Sequence, residues 1–287
     1  MDNSVASSRS AEPARSSVGS VVDKLASGLI AVVALVVLLF LTLPILIVIP
    51  MSFSSAEALT FPPPGLSLRW YEAFFGDSRW LAAARTSILV AVASSSLAVV
   101  LGSAASYSLV RGSWPGRNLV EANLLLPLVV PQVIFALALY MVFARVGILG
   151  TLGGLILAHT VLALPYVVLI MSVAIRSFDV RIEQIALSLG SSWPRMFVTI
   201  ALPNLAPSLA AAWLFAFVIS FDEVILTIFL SGVNETTPKR MFNELTLQVN
   251  PTITAIATLL IVASAVTIGA LAWFAKRGGL AARSIIR

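Results

Sequence analysis

The sequence has no cysteine and a single histidine, His159, among its 287 residues. Disulfides, thiolate metal sites and a cysteine nucleophile are therefore excluded, and a histidine metal cluster or a Ser-His-Asp triad is disfavoured. Charge is also scarce: 11% of the residues are charged and 59% are hydrophobic, against about 25% and about 45–50% in soluble domains. Together with a mean hydropathy of +1.00, this composition excludes a soluble globular protein. We predict no metal, no cofactor and no enzymatic activity in this chain.

The net charge of +5 and a pI near 10.1 do not indicate nucleic-acid binding, because the basic residues are scattered between apolar blocks. A helix that crosses about 30 Å of hydrocarbon needs roughly 20 apolar residues. Six runs in the sequence meet this requirement, so the predicted fold is an all-α integral membrane protein with six transmembrane helices. The predicted spans are 28–51, 86–110, 119–143, 149–172, 208–229 and 253–275.

The distribution of Lys and Arg predicts the orientation. The two termini and the second and fourth loops carry twelve Lys and Arg residues, whereas the opposite side carries six. Because positive loops stay in the cytoplasm, both termini are predicted to be cytoplasmic. The predicted organisation is a cytoplasmic tail at 1–27, a six-helix domain at 28–275 and a cytoplasmic tail at 276–287.

The fourth loop, 176–207, is long and has helical periodicity. Asp179 is a predicted N-cap and Gly190 a predicted C-terminal stop, and a second segment begins near Pro194 and ends before Pro203. We therefore predict two short amphipathic helices across a glycine hinge. Their apolar stripe packs against a partner protein or, alternatively, against the membrane surface or neighbouring helices. The stripe consists of Ile182, Ile185, Ala186 and Leu189.

This loop resembles the "EAA" loop of permease subunits from binding-protein-dependent ABC importers. The family pattern is Glu-Ala-Ala, three residues, Gly, nine residues, Ile, any residue, Leu-Pro. Gln184 and Ile185 depart from the pattern, with Glu183 beside them. The matching positions are Ala186, Gly190, the nine residues Ser191–Thr199, Ile200 and Pro203.

The resemblance implies a type I importer permease with MetI-like architecture in a bacterial inner membrane. It further implies three protein partners: a dimeric cytoplasmic ATPase, a second permease subunit and an extracytoplasmic solute-binding protein. No Walker motif occurs in the sequence, so ATP hydrolysis is assigned to the separate ATPase. The implied coupling residues are Glu183, Gln184, Ala186, Leu189, Gly190, Ile200 and Pro203.

Two adjacent carboxylates, Asp222 and Glu223, fall inside the predicted fifth span. An intramembrane charge costs on the order of 2.5–3.5 kcal/mol, so at least one should face an aqueous cavity or a partner. The alternative is that the helix ends earlier and both lie at the outer interface. The segments 220–223 and 237–242 resemble the second permease of spermidine/putrescine importers, which implies a small polyamine-like cation as solute. The predicted pathway residues are Asp222, Glu223 and Phe221, with Phe217 and Trp213 as further aromatic faces for cation–π contact or as ordinary packing.

Two further features bear on function. His159 is predicted to be a hydrogen-bonded interhelical residue, with a proton relay or a ligand as the alternative. Four prolines are predicted to mark kinks or broken turns: Pro44, Pro127, Pro131 and Pro165. A rival hypothesis is an ion-coupled secondary transporter in which Asp222, Glu223 and His159 bind the coupling ion. That hypothesis leaves the helical loop at 176–207 unexplained.

Overall fold

The computed structural model describes residues 17–247 and 251–284. The chain divides into two compact units, Met1–Pro50 and Met51–Arg287. Within the described residues, the only extended pairing is an isolated bridge between Ser54 and Leu66. The rest of the regular structure is helical, as predicted. The helices are α1 (Ser17–Ser52), α2 (Arg69–Gly76), α3 (Ser78–Arg111), α4 (Arg117–Leu125), α5 (Gln132–Val146), α6 (Leu152–Ser177), α7 (Val180–Ser188), α8 (Trp193–Met196), α9 (Leu202–Phe221), α10 (Ile225–Leu230), α11 (Thr237–Leu247) and α12 (Thr252–Ser284).

Four helical stretches of the described chain are long and apolar enough to cross a membrane: Leu25–Ser52, Ser78–Arg111, Leu152–Ser177 and Trp193–Phe221. The bent pair α4 and α5 makes a fifth if it is counted as one span. Thr252–Thr267 in α12 is apolar but shorter. The multi-pass helical fold is therefore confirmed, while the number six stays a prediction.

The two predicted tails overlap helices in the described residues. Residues 1–16 of the predicted N-terminal tail lie outside the described part, but α1 begins at Ser17 rather than near 28. At the other end α12 runs on to Ser284, and residues 285–287 lie outside the described part.

The core of the second unit lies where α3, α6 and α9 pack together. Small residues allow this close approach: Ala98, Ala163 and Ala212 have no exposed surface. Gly102 lies against Val167 so closely that an added Cβ would come within 2.7 Å of the valine side chain. Since lipid offers no hydrophobic driving force between helices, such close packing is what stabilises a membrane bundle.

The predicted third span, 119–143, is not one helix. Its two halves, Arg117–Leu128 and Gln132–Val146, are bent by 109°. The break falls at residues 129–131, directly before the first residue of α5, where Pro131 cannot donate a backbone hydrogen bond. The prediction of a continuous span is therefore wrong, whereas the predicted break at Pro131 is confirmed. Pro44 and Pro165, for which the same prediction was made, lie inside the uninterrupted helices α1 and α6.

The fifth span also differs from the prediction at both ends. Its helix begins at Trp193 and continues past Pro203, so the predicted short helix that ends before Pro203 is wrong. A π-helical turn at Phe197–Ala201 accommodates the proline, because the ladder shifts where Pro203 lacks an N–H. At the other end the helix stops at Phe221, and α10 begins only at Ile225. The predicted continuous span 208–229 is thus broken at Asp222 and Glu223.

At the end of the unit opposite α7, a buried arginine joins α11 to the start of α3. Arg240 is 6% exposed, lies over the Trp80 ring and pairs with Asp77, Glu235 and Glu244. Burial acts to raise the pKa of Asp77, but hydrogen bonds from the backbone and side chain of Arg79 outweigh it and lower that pKa below its ordinary value. This cluster keeps the loop after α10 attached to the bundle.

Candidate functional site: a coupling segment and a carboxylate cavity

The first candidate site is the segment between α6 and α9. The carboxylate of Asp179 accepts a hydrogen bond from the backbone N–H of Arg181, at 2.9 Å, and so caps α7. The chain then turns at Gly190, whose φ of +86° is a left-handed conformation that favours glycine. The predicted N-cap and glycine stop are confirmed.

The predicted coupling residues point in different directions. Gln184 and Leu189 are exposed, and the exposed fraction of Leu189 reaches 83%. With Ile182 and Ile185, which are also exposed, they form an open face that we call the α7 face. Glu183 and Ala186 lie on the buried side of the same helix. Beyond the turn, Ile200 is half-buried and Pro203 is exposed on the helix that leads into α9.

Glu183 is held inside the chain by the last turn of α3. Arg111 donates to its Oε1 from Nε at 3.0 Å and from Nη2 at 2.8 Å. The Tyr107 hydroxyl donates to its Oε2 at 2.9 Å. Arg111 Nη2 also donates to the carbonyl of Phe178, at 2.8 Å, just before α7. The side chains of Arg111 and Glu183 are 17% and 8% exposed, so this is a largely buried ion pair.

Aromatic rings attach the other side of the Gly190 turn to the same place. Trp193 and Phe197 stack with ring centroids 5.3 Å apart and an interplanar angle of 8°. Tyr107 meets both rings edge-on, at centroid distances of 6.0 and 5.3 Å. One turn of α3 therefore contacts both arms of the coupling segment.

The second candidate site is a cavity of about 780 Å³ between α3, α9 and α12. One wall is a ladder of Trp213, Phe217 and Phe221, four residues apart on α9. Neighbouring rings are stacked with centroids 5.4 Å apart. Asp222, with an exposed side chain, lies at the end of this ladder. It carries the only charge among the described residues that line the cavity.

A second cavity of about 740 Å³ lies between α6 and α9 and includes Phe178 and Asn204. The described residues that line it carry no charge. It therefore offers a charged solute no counter-charge, and the Asp222 cavity is the better candidate.

Glu223 is oriented differently from its neighbour Asp222. It is 6% exposed, and its Oε1 accepts the backbone N–H of Leu226, at 2.9 Å, at the start of α10. Gln132 donates from Nε2 to its Oε2. Because Gln132 is the first residue after the break before α5, this contact joins the two helix breaks.

A buried hydrogen-bond chain extends from this junction into the core. The His159 ring contacts the hydroxyl of Ser220, at 2.8 Å, and that of Thr227, at 3.2 Å. Ser220 in turn contacts Ser94 of α3 at 2.8 Å, and Thr227 donates to the Glu223 carbonyl at 3.1 Å. The predicted interhelical role of His159 is confirmed. The chain links α3, α6, α9 and α10 around the broken segment.

Sequence reasoning did not identify Tyr107, Arg111 or Gln132 as members of these sites. Arg111 counted only as one of the basic loop residues that set the orientation. The single local indication was the spacing of Glu183 and Ala186, which makes them neighbours on the surface of α7.

Comparison with known proteins gives a family match over residues 98–278, to the binding-protein-dependent transport system inner membrane component. The chain is 34% identical to the putrescine transport system permease protein PotI of Escherichia coli strain K12 over 243 residues, 82% of this chain and 86% of that protein. It is 33% identical to the spermidine/putrescine transport system permease protein PotC of Haemophilus influenzae, over 80% of this chain and 89% of that protein. A solved bacterial ABC transporter that imports the acidic polysaccharide alginate matches with a TM-score of 0.68 at 15% identity, covering 88% of this chain and 97% of that chain.

Broken membrane helices around a cavity, together with a helical segment outside the bundle, define the class of protein as a multi-pass transport permease. The family match makes the assignment narrower. The chain belongs to the inner membrane components of binding-protein-dependent transport systems, as a permease subunit of an ABC importer. The resemblance of the EAA loop is thereby confirmed at the level of the family, and the ion-coupled secondary transporter is not retained.

Proposed function

We propose that this permease subunit imports a small organic polycation of the polyamine class. The observation that carries the proposal is the Asp222 carboxylate at the end of the aromatic ladder. A flexible diamine or triamine presents ammonium groups separated by methylene chains. The carboxylate suits an ammonium group through a charge-assisted hydrogen bond, and the ring faces suit the rest through cation–π and apolar contact. The similarity to PotI and PotC supports the same solute class.

We assign Asp222 and Phe221 to the pathway and give Glu223 a supporting part. Because Glu223 is buried and bonded to Leu226 and Gln132, it fixes the break that presents Asp222 to the cavity. The proposed sequence of events is ATP-driven closure of the ATPase, movement of the coupling segment, opening of the pathway outward, and acceptance of solute past Asp222.

The family and the exposed α7 face support three proposed protein partners. An ATPase subunit docks on α7, where Ile182, Ile185 and Leu189 offer apolar surface and Gln184 a polar group. A separate ATPase hydrolyses ATP, a solute-binding protein delivers the solute, and a second permease subunit completes the pathway. The excess of Lys and Arg supports cytoplasmic termini in an inner membrane.

The test is uptake of radiolabelled putrescine by the complex that co-purifies with this chain, reconstituted in liposomes that contain ATP. Asp222→Asn keeps the shape of the side chain but removes its charge. A hydrogen bond to a charged group is worth about 1.5–3 kcal/mol, so the KM for putrescine should rise about tenfold or more. Glu57→Gln is the matched control, because its carboxylate is 91% exposed and lies outside the cavity.

Competition decides the solute class. Spermidine should inhibit the uptake of putrescine. Neither the uncharged diol with the chain length of putrescine nor the anion molybdate should inhibit it. Inhibition by the diol, or an unchanged KM in Asp222→Asn, would contradict the assignment of a cation site.

A further inference from the structure

We infer that Arg111 and Tyr107 are positioning residues that attach the coupling helix to α3. Through Glu183 they make α7 and the end of α3 move together, so that a force on the α7 face displaces the cavity wall formed by α3. This inference rests on the coupling role of α7 proposed above. It replaces the predicted contact of Glu183 with the ATPase by a contact within the chain.

The geometry of the carboxylate carries the first step. Both oxygens of Glu183 are occupied, Oε1 by two nitrogens of Arg111 and Oε2 by the Tyr107 hydroxyl. A buried ion pair is maintained only if its remaining donors and acceptors are also satisfied. Here Arg111 uses Nη2 for the Phe178 carbonyl as well, so the pair is fixed in direction as well as distance.

The second step is that one face of α3 holds both arms of the segment. Tyr107 and Arg111 are four residues apart and therefore neighbours on the helix surface. Arg111 holds the arm before Gly190, and the Tyr107 ring contacts Trp193 and Phe197 in the arm after it. A displacement of α7 thus reaches α3 without passing through the glycine turn.

The third step is the stiffness of α3. It is one uninterrupted helix, Ser78–Arg111, with no proline inside it. Val92, which lines the Asp222 cavity, lies 19 residues before Arg111, or about 28 Å along the axis. The parallel route runs through the π-helical turn at Phe197–Ala201 and then through α9, which contains Pro207; both are features that bend helices.

The experiment uses the absence of native cysteine. A single Val92→Cys substitution in this chain reports exposure of the cavity wall by its rate of reaction with a membrane-impermeant maleimide. The rate is measured in the co-purified complex without nucleotide and with ATP plus vanadate. Because the response needs no solute, it is independent of the polyamine proposal. If the parent complex responds to nucleotide but does not transport putrescine, the solute assignment alone fails.

The variants are Glu183→Gln and Arg111→Met, each in the Val92→Cys background. Both should keep ATP hydrolysis within about twofold, whereas the nucleotide-dependent change in labelling rate should fall about tenfold, a coupling loss within the usual range. The exchanged pair Arg111→Glu with Glu183→Arg should recover part of the response. Glu235→Gln is the matched control, since it neutralises a carboxylate that pairs with a buried arginine at the other end of the bundle.

Three results would overturn the inference. One is an unchanged labelling response in both single variants. Another is loss of the ATPase subunit from the complex in Glu183→Gln but not in Arg111→Met, which would assign Glu183 to the ATPase contact. The third applies if Glu183→Gln does not insert into the membrane. Tyr107→Phe and Arg111→Lys are then measured instead, and a change in labelling rate equal to that of the parent in both variants rejects the inference.

Discussion

The contact between Gln132 and Glu223 joins two helix breaks, and we predict that its loss destabilises the protein. In Gln132→Leu, Glu223 keeps the bond from Leu226 but loses its side-chain donor. Since only 6% of Glu223 is exposed, water replaces that donor poorly. A hydrogen bond to a charged group contributes about 1.5–3 kcal/mol. A loss of about 2 kcal/mol lowers Tm by about 4–8 °C in a chain of this size.

The assay is thermal unfolding of the detergent-purified protein, followed by the fluorescence of its six tryptophans. Glu223→Gln completes a double-mutant cycle. The carboxylate accepts from Leu226 with one oxygen and from Gln132 with the other, whereas an amide has only one oxygen that can accept. The double variant should therefore cost less than the sum of the single ones, by at least about 1 kcal/mol. Val133→Leu, at the exposed neighbouring position, serves as the control. Additive losses, or a Tm within about 1 °C of the parent in Gln132→Leu, would refute the bridging role.

Two glycine positions give further predictions. Gly190→Val places a β-branched residue at a φ of +86°, which costs roughly 1–2 kcal/mol. We expect this variant to insert and to hydrolyse ATP, but to move less solute per ATP hydrolysed. The same number of solute molecules per ATP as in the parent would argue against a hinge at this residue. Gly232→Ala would place a Cβ 2.8 Å from the Gly150 Cα, so its Tm should fall. Gly153→Ala is the control, because its Cβ would meet nothing within 4 Å and should not lower Tm. Equal Tm values in the two variants would contradict the close approach of Gly232 and Gly150.

Hydropathy predicted where the chain is helical, because long apolar runs in lipid must satisfy their own backbone hydrogen bonds. It did not predict where those helices break. Val129 and Val130 are as apolar as their neighbours, so the run at 119–143 looks continuous although the structure turns there by 109°. The break after Phe221 depends on Glu223 accepting the N–H of Leu226 and on Gln132, which is 91 residues away. No local pattern contains that contact.

The candidate site shows the same limit. Periodicity predicted α7, its cap and its glycine turn, since all three are properties of a few consecutive residues. The resemblance placed Glu183 beside Gln184, and it implied the same coupling role for both. Only the fold brings Arg111, 72 residues earlier, against one of them and leaves the other exposed. Family resemblance therefore identified the segment, whereas the roles of individual residues depend on tertiary contacts.

The two proposed sites share one element, α3, and this constrains how they act on each other. Its last turn holds Glu183, Ser94 in its middle contacts Ser220 of the buried chain, and Ile88 and Val92 line the cavity. Ser220 lies two residues before Asp222, at the end of α9. A shift of α3 that is driven from α7 must therefore either carry the Asp222 break with it or break the contact between Ser94 and Ser220. In the first case the carboxylate and the cavity wall move together and the site keeps its shape. In the second case they separate and the hold on the solute weakens, and Ser94→Ala distinguishes the two, since it should alter solute release only if that contact survives the movement.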